Sequence, residues 1–272
     1  MPRLLFLDSG LGGLTVLRAV RAAVPEADVV YIADDAGFPY GALGDDELRA
    51  RLLMLLGEAT ANHAPDCVVL ACNTASTIAL AALRDAFRVP FVGTVPAIKP
   101  AAMLTRSGLV SILATPGTVV RDYTRTLIAE HGRGASFTLV GAPNLARLAE
   151  AHARGEHPDD AAILQEISPC FVQDGKARTD VIVLGCTHYP LLAPALERLA
   201  PWPVTWLDPA PAIARRTANL LAEMGHVVGV GARPRTGLIA FTSGRPPAPP
   251  LARLLAAYDL AVAPSPAAVA AQ

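Results

Sequence analysis

Two stretches of the chain decide its fold, CVVLACNT at residues 67–74 and VIVLGCTH at residues 181–188. Each begins with a run of apolar residues and then presents a cysteine followed by small polar groups. Apolar runs without polar alternation are typical of parallel strands that are covered on both faces. Since α/β sheets place their binding sites at the carboxyl ends of such strands, the two stretches predict equivalent positions for Cys72 and Cys186.

The rest of the chain alternates short apolar runs with longer segments of helical period, which is the pattern of a doubly wound α/β fold. Further strands are predicted at residues 4–7, 29–32, 109–113, 137–140 and 204–207, and helices at residues 14–24, from 45 or 46 onward, and around 251–258. We expect two pseudo-symmetric α/β domains with mainly parallel sheets and an active site in the cleft between them. The first domain is predicted to comprise residues 1–97 and 207–272, and the second residues 98–206.

The composition narrows the class of protein. The 272 residues are 52% hydrophobic and 17% charged, with a formal net charge of −1, which argues against a disordered chain. This balance provides no general positive field for nucleic acid or an anionic membrane, so neither partner is expected.

The initial apolar run is too short for a signal peptide, and four cysteines without a CxxC pair favour reduced thiols in the cytoplasm and no metal cluster. Of these, Cys67 and Cys170 are predicted to be inert packing residues.

Two kinds of cofactor site are disfavoured. The glycines of residues 10–13 lack the G-x-G-x-x-G spacing of a dinucleotide site, and Asp8 would place a carboxylate beside the phosphates. Pyridoxal phosphate needs a Schiff-base lysine, and the chain contains only Lys99 and Lys176, neither of which follows a predicted strand. We therefore expect no cofactor.

The two cysteines at strand ends are the candidates for chemistry. Because an ordinary thiol has a pKa of about 8.5, each needs a neighbouring base or cation to act at neutral pH. Asp8, at the end of the first strand, and His188, two residues after Cys186, are the candidates for that role. The residues alone leave alternatives open, since Asp8 could form only an Asx turn and His188 could bond only to backbone.

Two thiols on either side of one small substrate are suited to removing a proton from one face of a carbon and returning one to the other. Cofactor-independent racemisation is the reaction that this arrangement favours. A hydrolase would need only one nucleophilic cysteine with its base, and a non-catalytic amino-acid binding protein would need neither thiol.

The motifs together resemble one family, the bacterial glutamate racemases. The resemblance rests on DSGLGG at residues 8–13, PYG at 39–41, ACNTAS at 71–76 and GCTHYP at 185–190, in that order along most of the chain. It implies interconversion of L- and D-glutamate without a cofactor, with D-glutamate supplied for peptidoglycan. It also implies that Cys186 acts on the L-isomer and Cys72 on the D-isomer. We expect glutamate as the small-molecule partner and a homodimer.

Further roles follow from the same resemblance. Asp8 would assist Cys72 and His188 would assist Cys186, with Glu150 as the acidic partner of the histidine. Substrate would be bound by Asp8, Ser9, Tyr40, Gly41, Asn73, Thr74, Thr118, Thr187 and His188. An aspartate or hydantoin racemase of the same superfamily would use the same thiol pair and is the nearest alternative, although HYP at residues 188–190 favours glutamate.

Overall fold

Strands and helices alternate throughout residues 1–226 and 235–263, the part of the chain that the computed structural model describes. The strands are β1 (Arg3–Asp8), β2 (Asp28–Ala33), β3 (Cys67–Leu70), β4 (Phe91–Gly93), β5 (Leu109–Ala114), β6 (Ser136–Gly141), β7 (Gln173–Asp174), β8 (Ala177–Arg178), β9 (Val181–Gly185), β10 (Thr205–Leu207), β11 (Gly237–Phe241) and β12 (Leu260–Val262). The helices are α1 (Leu14–Ala23), α2 (Asp45–His63), α3 (Asn73–Ala86), α4 (Ile98–Leu104), α5 (Pro116–Val119), α6 (Asp122–His131), α7 (Leu145–Ala153), α8 (Asp160–Ile167), α9 (Ala193–Leu199), α10 (Ala210–Glu223) and α11 (Pro249–Ala257).

The strands form two parallel sheets and one small hairpin. The first sheet has the order β12-β11-β2-β1-β3-β4, and the second has the order β10-β9-β5-β6. Every strand pair in these two sheets is parallel, whereas β7 and β8 pair in antiparallel fashion. The predicted α/β class with mainly parallel sheets is therefore confirmed.

The second sheet repeats the connectivity of four strands of the first. In chain order, β1 to β4 lie in the spatial order 2-1-3-4, and β5, β6, β9 and β10 lie in the same relative order. The strand before each candidate cysteine, β3 or β9, thus pairs with the first strand of its sheet. The two thiols are equivalent in topology as well as in local sequence.

Local chemistry explains why the elements form where they do. The leucines and phenylalanine of β1 are fully buried and alternate between the two faces, with Leu4 and Phe6 in one core cluster and Leu5 and Leu7 in another. The helix α2 begins with three acidic residues, which interact favourably with the positive end of the helix dipole. Each predicted strand and helix is present to within a few residues. The short strands β4, β11 and β12 were not predicted.

The two remaining cysteines pack in the core. Cys67 and Cys170 are fully buried in separate hydrophobic clusters. Burial raises the pKa of each thiol to about 12, so both stay protonated at neutral pH. Their prediction as inert packing residues is confirmed.

The predicted division at residues 97/98 and 206/207 stays a prediction. Residues 227–234 and 264–272, which fall in its first domain, lie outside the described residues. No helix in the described ranges is both long and apolar enough to cross a membrane.

Candidate active site

The loops that follow β1 and β9 contact each other, which brings the carboxyl ends of the two sheets together. The hydroxyl of Thr187 donates a hydrogen bond to Asp8 Oδ1 at 3.2 Å, and the backbone N–H of Leu11 donates to Glu150 Oε2 at 2.9 Å. The Thr15 hydroxyl lies 3.4 Å from the Thr187 carbonyl oxygen. These contacts form the floor of a site between the sheets.

Cys72 lies at this floor with little solvent contact. Its side chain is 6% exposed, and its Sγ lies 4.0 Å from the hydroxyl of Ser9, to which it donates. Burial raises the pKa of the Cys72 thiol well above its ordinary value, and the charges of Asp8 and Cys186 raise it further. The charge of Cys186 is therefore felt at Cys72.

Asp8 forms the Asx-type contact that the sequence left open, and its predicted role beside Cys72 stays a prediction. It is fully buried, and its Oδ2 accepts a hydrogen bond from the Gly10 N–H at 3.1 Å, which is an Asx-type contact. Its other oxygen accepts from Thr187 and so faces the site. Burial raises the pKa of Asp8, although the charge of His188 and two backbone N–H groups oppose that rise.

His188 links Cys186 to Glu150. Its Nδ1 lies 3.9 Å from Cys186 Sγ, and its Nε2 lies 3.0 Å from Glu150 Oε2. Burial alone would lower the pKa of His188, but its bonds to Cys186 and Glu150 and the charge of Asp8 reverse this and raise the pKa well above its ordinary value. Burial tends to raise the pKa of Glu150, but the bonds from His188 and from the Leu11 N–H outweigh this effect and lower its pKa overall. The two groups therefore form a buried ion pair at neutral pH.

The glycine-rich loop after β1 makes room for this ion pair. A Cβ atom at Gly12 would lie 2.7 Å from the backbone nitrogen of His188, and one at Gly10 would lie 2.8 Å from Glu150 Oε2. The clash at Gly12 is with backbone, so glycine is required there, whereas a side chain at Gly10 would displace the carboxylate of Glu150. The ring of Phe38 lies 5.3 Å from the imidazole, between centroids. The spacing of these glycines thus fits an imidazole and a carboxylate rather than a dinucleotide.

Asn73, the residue after Cys72, has an unused side chain. It is 2% exposed, and neither its amide oxygen nor its amide nitrogen has a hydrogen-bond partner among the described residues. Leaving a buried polar group unpaired costs about 1–3 kcal/mol, so such a group calls for an explanation. As the neighbour of Cys72 in the chain, it is a donor and an acceptor available to a ligand.

A chain of threonine hydroxyls crosses between the two sheets near Asn73. The hydroxyl of Thr74 lies 3.2 Å from that of Thr115, which lies 3.0 Å from that of Thr118. Thr118 is fully buried, and a Cβ at Gly41 would lie 3.5 Å from the Thr115 side chain. The hydroxyl of Thr115 therefore lies between those of the predicted residues Thr74 and Thr118.

The hydroxyl of Tyr40 is engaged by the buried carboxylate of Asp34. The hydroxyl donates to Asp34 Oδ2 at 2.6 Å, and Asp34 also accepts bonds from Arg51 Nε at 2.6 Å and from the Thr242 hydroxyl at 2.5 Å. Burial would raise the pKa of Asp34, but these bonds hold it below its ordinary value. Since the only hydroxyl proton of Tyr40 is used by Asp34, any donor to a ligand here comes from the backbone around Gly41.

The structure also shows residues that the sequence interpretation missed. Arg154 contacts Glu150, and Arg51 neutralises Asp34. An arginine four residues after a glutamate on a helix is a recognisable signal for the first of these pairs. The second joins residues from a loop and a helix, and no sequence spacing reveals it.

The residues that could hold a cofactor lie elsewhere. Lys99 and Lys176 are exposed, the first on α4 and the second in the turn between β7 and β8. The described part of the chain contains no group of three or more histidine, cysteine or acidic side chains arranged to hold a metal ion.

Comparisons with known proteins agree with this geometry. Residues 14–217 match the family described as Asp/Glu/Hydantoin racemase. The curated glutamate racemase of Brucella anthropi is 58% identical over 219 residues, which cover 80% of this chain and 79% of that protein.

Solved structures agree as well. The structure of Escherichia coli glutamate racemase in complex with L-glutamate and the activator UDP-MurNAc-Ala is 36% identical, with a TM-score of 0.85 over 96% of this chain and 97% of that one. Glutamate racemase isoform RacE1 from Bacillus anthracis is 25% identical, with a TM-score of 0.78 over 97% and 98% of the two chains. With a family match over most of its length and cysteines at both equivalent strand ends, the chain belongs to the Asp/Glu/hydantoin racemase family.

Proposed function

We propose that this protein interconverts L- and D-glutamate without a cofactor, by proton transfer at the α-carbon between Cys72 and Cys186. The observation that carries the proposal is the pair of buried thiols at equivalent strand ends, each with its own ionisable neighbour, beside the unpaired amide of Asn73. The choice of glutamate is supported by the curated and solved relatives, which are named glutamate racemases.

In the direction from L to D, Cys186 acts as thiolate and removes the α-proton of L-glutamate, which leaves a carbanion at the α-carbon. Cys72, still a thiol, donates its proton to the opposite face and becomes the thiolate. The product is D-glutamate, and the protein is left with the proton on Cys186. Binding of D-glutamate to this form allows the reverse reaction, with the two cysteines in exchanged roles.

The neighbours of each thiol favour these roles. A protonated His188, paired with Glu150, stabilises a thiolate at Cys186. The buried carboxylate of Asp8 holds the Cys72 proton in place, because a negative charge raises the pKa of a neighbouring thiol. Asp8, Glu150 and His188 thus assist the two thiols, and Asp8 and His188 also line the substrate site.

Neutral groups would bind the charged ends of the substrate. Asn73 offers an amide donor and acceptor, and Ser9, Thr74 and Thr187 offer hydroxyls at the same floor. The backbone at Tyr40 and Gly41 would add a donor, and Thr118 would act through Thr115. Binding a substrate with two carboxylates and one ammonium by such local donors is consistent with the near-zero net charge of the chain.

The cellular role follows from the reaction. D-Glutamate would serve peptidoglycan synthesis in the cytoplasm, and we propose that the protein acts there as a homodimer. The two domains would be formed by residues 1–97 with 207–272 and by residues 98–206, and their relative motion would admit the substrate.

Incubation with L-glutamate in D2O, without added pyridoxal phosphate, tests the proposal. The expected product is D-glutamate with deuterium at the α-carbon, observed by proton NMR and by chiral separation. Equal rates with aspartate would favour the broader racemase alternative, and a trapped acyl-enzyme on one cysteine would favour a hydrolase. Unchanged L-glutamate with no loss of the α-proton signal would contradict the proposal.

A further inference from the structure

Arg154 completes a line of charged groups that runs into the site. It follows the last residue of α7, and its Nε and Nη2 donate to Glu150 Oε1 at 3.0 and 2.7 Å. The other oxygen of Glu150 accepts from Leu11 and His188. Among the described residues, Arg154 is thus the one arginine that hydrogen-bonds to Glu150, and it does so on the oxygen that His188 does not use.

The same guanidinium reaches the other sheet. Its Nη2 lies 3.8 Å from Asp35 Oδ2, in the loop after β2. Asp35 is held in turn by the N–H and hydroxyl of Ser243, at 2.9 and 2.7 Å. Arg154 is therefore fixed between a carboxylate of each half of the molecule.

We propose that Arg154 is a positioning residue for the racemisation, which acts through Glu150 to set the orientation and protonation of His188 beside Cys186. The inference rests on the proposed function for its kinetic readouts only. Arg154 has no contact with either thiol, and its side chain is 35% exposed, so it does not act on substrate directly.

The charge of Arg154 shifts the pKa of Glu150 and of His188 in a definite direction. A cation beside Glu150 favours the carboxylate and disfavours a second positive charge on His188. Removal of that cation therefore raises the pKa of both groups, because each protonated form becomes easier to make. The other charged or titratable groups that face the pair are Asp8 from β1, Tyr31 from β2 and Cys186 after β9. Loss of a nearby cation raises the pKa of Asp8 and of Tyr31 as well.

The effect of Arg154 on the orientation of Glu150 is separable from the effect of its charge. Two nitrogens of the planar guanidinium bind one carboxylate oxygen, so the fork fixes where Glu150 points. Lysine at this position keeps the charge and loses the fork, whereas glutamine keeps part of the length and loses the charge. The pair of variants distinguishes the two contributions.

The test compares Arg154→Gln and Arg154→Lys with wild type, and uses Arg198→Gln as matched control. Arg198 forms a two-point ion pair with Asp160 on the surface of the same half and contacts none of the site residues described above. Initial rates with L-glutamate are measured from pH 6 to pH 10, and the imidazole signals of His188 are followed by NMR titration of the resting protein.

For Arg154→Gln we expect a roughly tenfold loss of kcat with KM within about twofold, as general acid–base catalysis requires well-placed groups. The limb of the pH profile that reports His188 and Glu150 moves to higher pH, and the NMR titration of His188 moves with it. For Arg154→Lys we expect this limb at its wild-type pH but only part of the wild-type kcat. For Arg198→Gln we expect the kcat and pH profile of wild type.

A wild-type pH profile and wild-type His188 titration in Arg154→Gln would overturn the inference, as would equal losses in Arg154→Lys and Arg154→Gln with no shift in either limb. Circular dichroism and the melting temperature verify that each variant is folded. If wild type itself fails to racemise glutamate, the proposed function fails, and the NMR titration still decides whether Arg154 acts on His188.

Discussion

The Cys72 and Cys186 halves of the site share a backbone plan and differ in their electrostatics. Each thiol follows a strand that pairs with the first strand of its sheet. Around Cys72 the structure provides a hydroxyl and a buried carboxylate, whereas around Cys186 it provides an imidazole, a carboxylate and a guanidinium in series. The common plan sets where the two thiols lie, and we propose that the different neighbours set which of them holds a proton.

Under the proposed function, this difference gives a nearly symmetric site two distinct roles toward mirror-image substrates. Two identical half-sites would compete for one proton without a preferred starting state. The negative charge of Asp8 raises the pKa of the Cys72 thiol, and the raised pKa of His188 supplies a positive charge on the Cys186 side. We therefore propose that the resting protein accepts the L-isomer and that one turnover converts it to the form that accepts the D-isomer.

Removal of either strand-end thiol has the largest expected effect. Because each thiol performs one proton transfer, Cys72→Ala and Cys186→Ala should each reduce racemisation at least about 10³-fold with the fold intact. The measurement is the change of optical rotation with L- or D-glutamate. Cys67→Ala and Cys170→Ala are the matched controls, since they remove core thiols, and their kcat should remain within about twofold of wild type. Full activity in either strand-end variant would contradict the two-thiol mechanism.

Substitution of the two assisting groups has an intermediate effect and distinguishes the halves. His188→Gln and Asp8→Asn should each reduce kcat roughly 10²-fold. Because His188→Gln slows transfer at Cys186, the isotope effect should be larger with α-deuterated L-glutamate than with the D-isomer, and Asp8→Asn should show the reverse.

The equilibrium constant between enantiomers is one, so kcat/KM for unlabelled substrate must remain equal in the two directions for every variant. This equality serves as the internal check of the isotope experiment. Isotope effects of the same size for both isomers in both variants would show that the two halves are not specialised as described.

Asn73→Ala tests the floor that both halves share and has the smallest expected effect. Loss of the amide should raise KM for glutamate about tenfold, which corresponds to about 1.4 kcal/mol of lost binding. The free energy of unfolding of the ligand-free protein should stay within about 1 kcal/mol of wild type, because the amide has no partner among the described residues. Urea denaturation measures the second quantity. An unchanged KM combined with a large loss of stability would assign Asn73 a structural role instead.

The strand and helix pattern was accessible from sequence because most of the fold is locally encoded. The apolar runs of β1, β3 and β9 are buried on both faces and so lack any competing polar pattern. The strands β4 and β12 have three residues each, which is a weak signal even though β10, of the same length, was predicted, and β11 begins at a glycine. Their place in the sheet comes from pairing with β3, β2 and β11 rather than from their own composition.

The site was accessible only in part, for a similar reason. The thiols, Asp8 and His188 follow strands directly, so their positions are fixed by local sequence. The contact of Glu150 with His188 joins residues 38 apart, and the resemblance to a family supplied it. The bonds of Asp34 to Arg51 and Tyr40 depend on how α2 packs on the first sheet, which no spacing in the sequence reveals.

Two arginine–aspartate pairs join residues of the two sheets' halves, Arg154 with Asp35 and Arg121 with Asp45. Both are partly exposed, so dissolved ions weaken them as the Debye length falls from about 30 Å at 0.01 M salt to about 8 Å at 0.15 M. Under the proposed function and domain division, we expect the halves to separate more easily as ionic strength rises. The rate at which glutamate enters and leaves would then depend on the salt content of the surrounding solution, independently of the chemistry at the thiols.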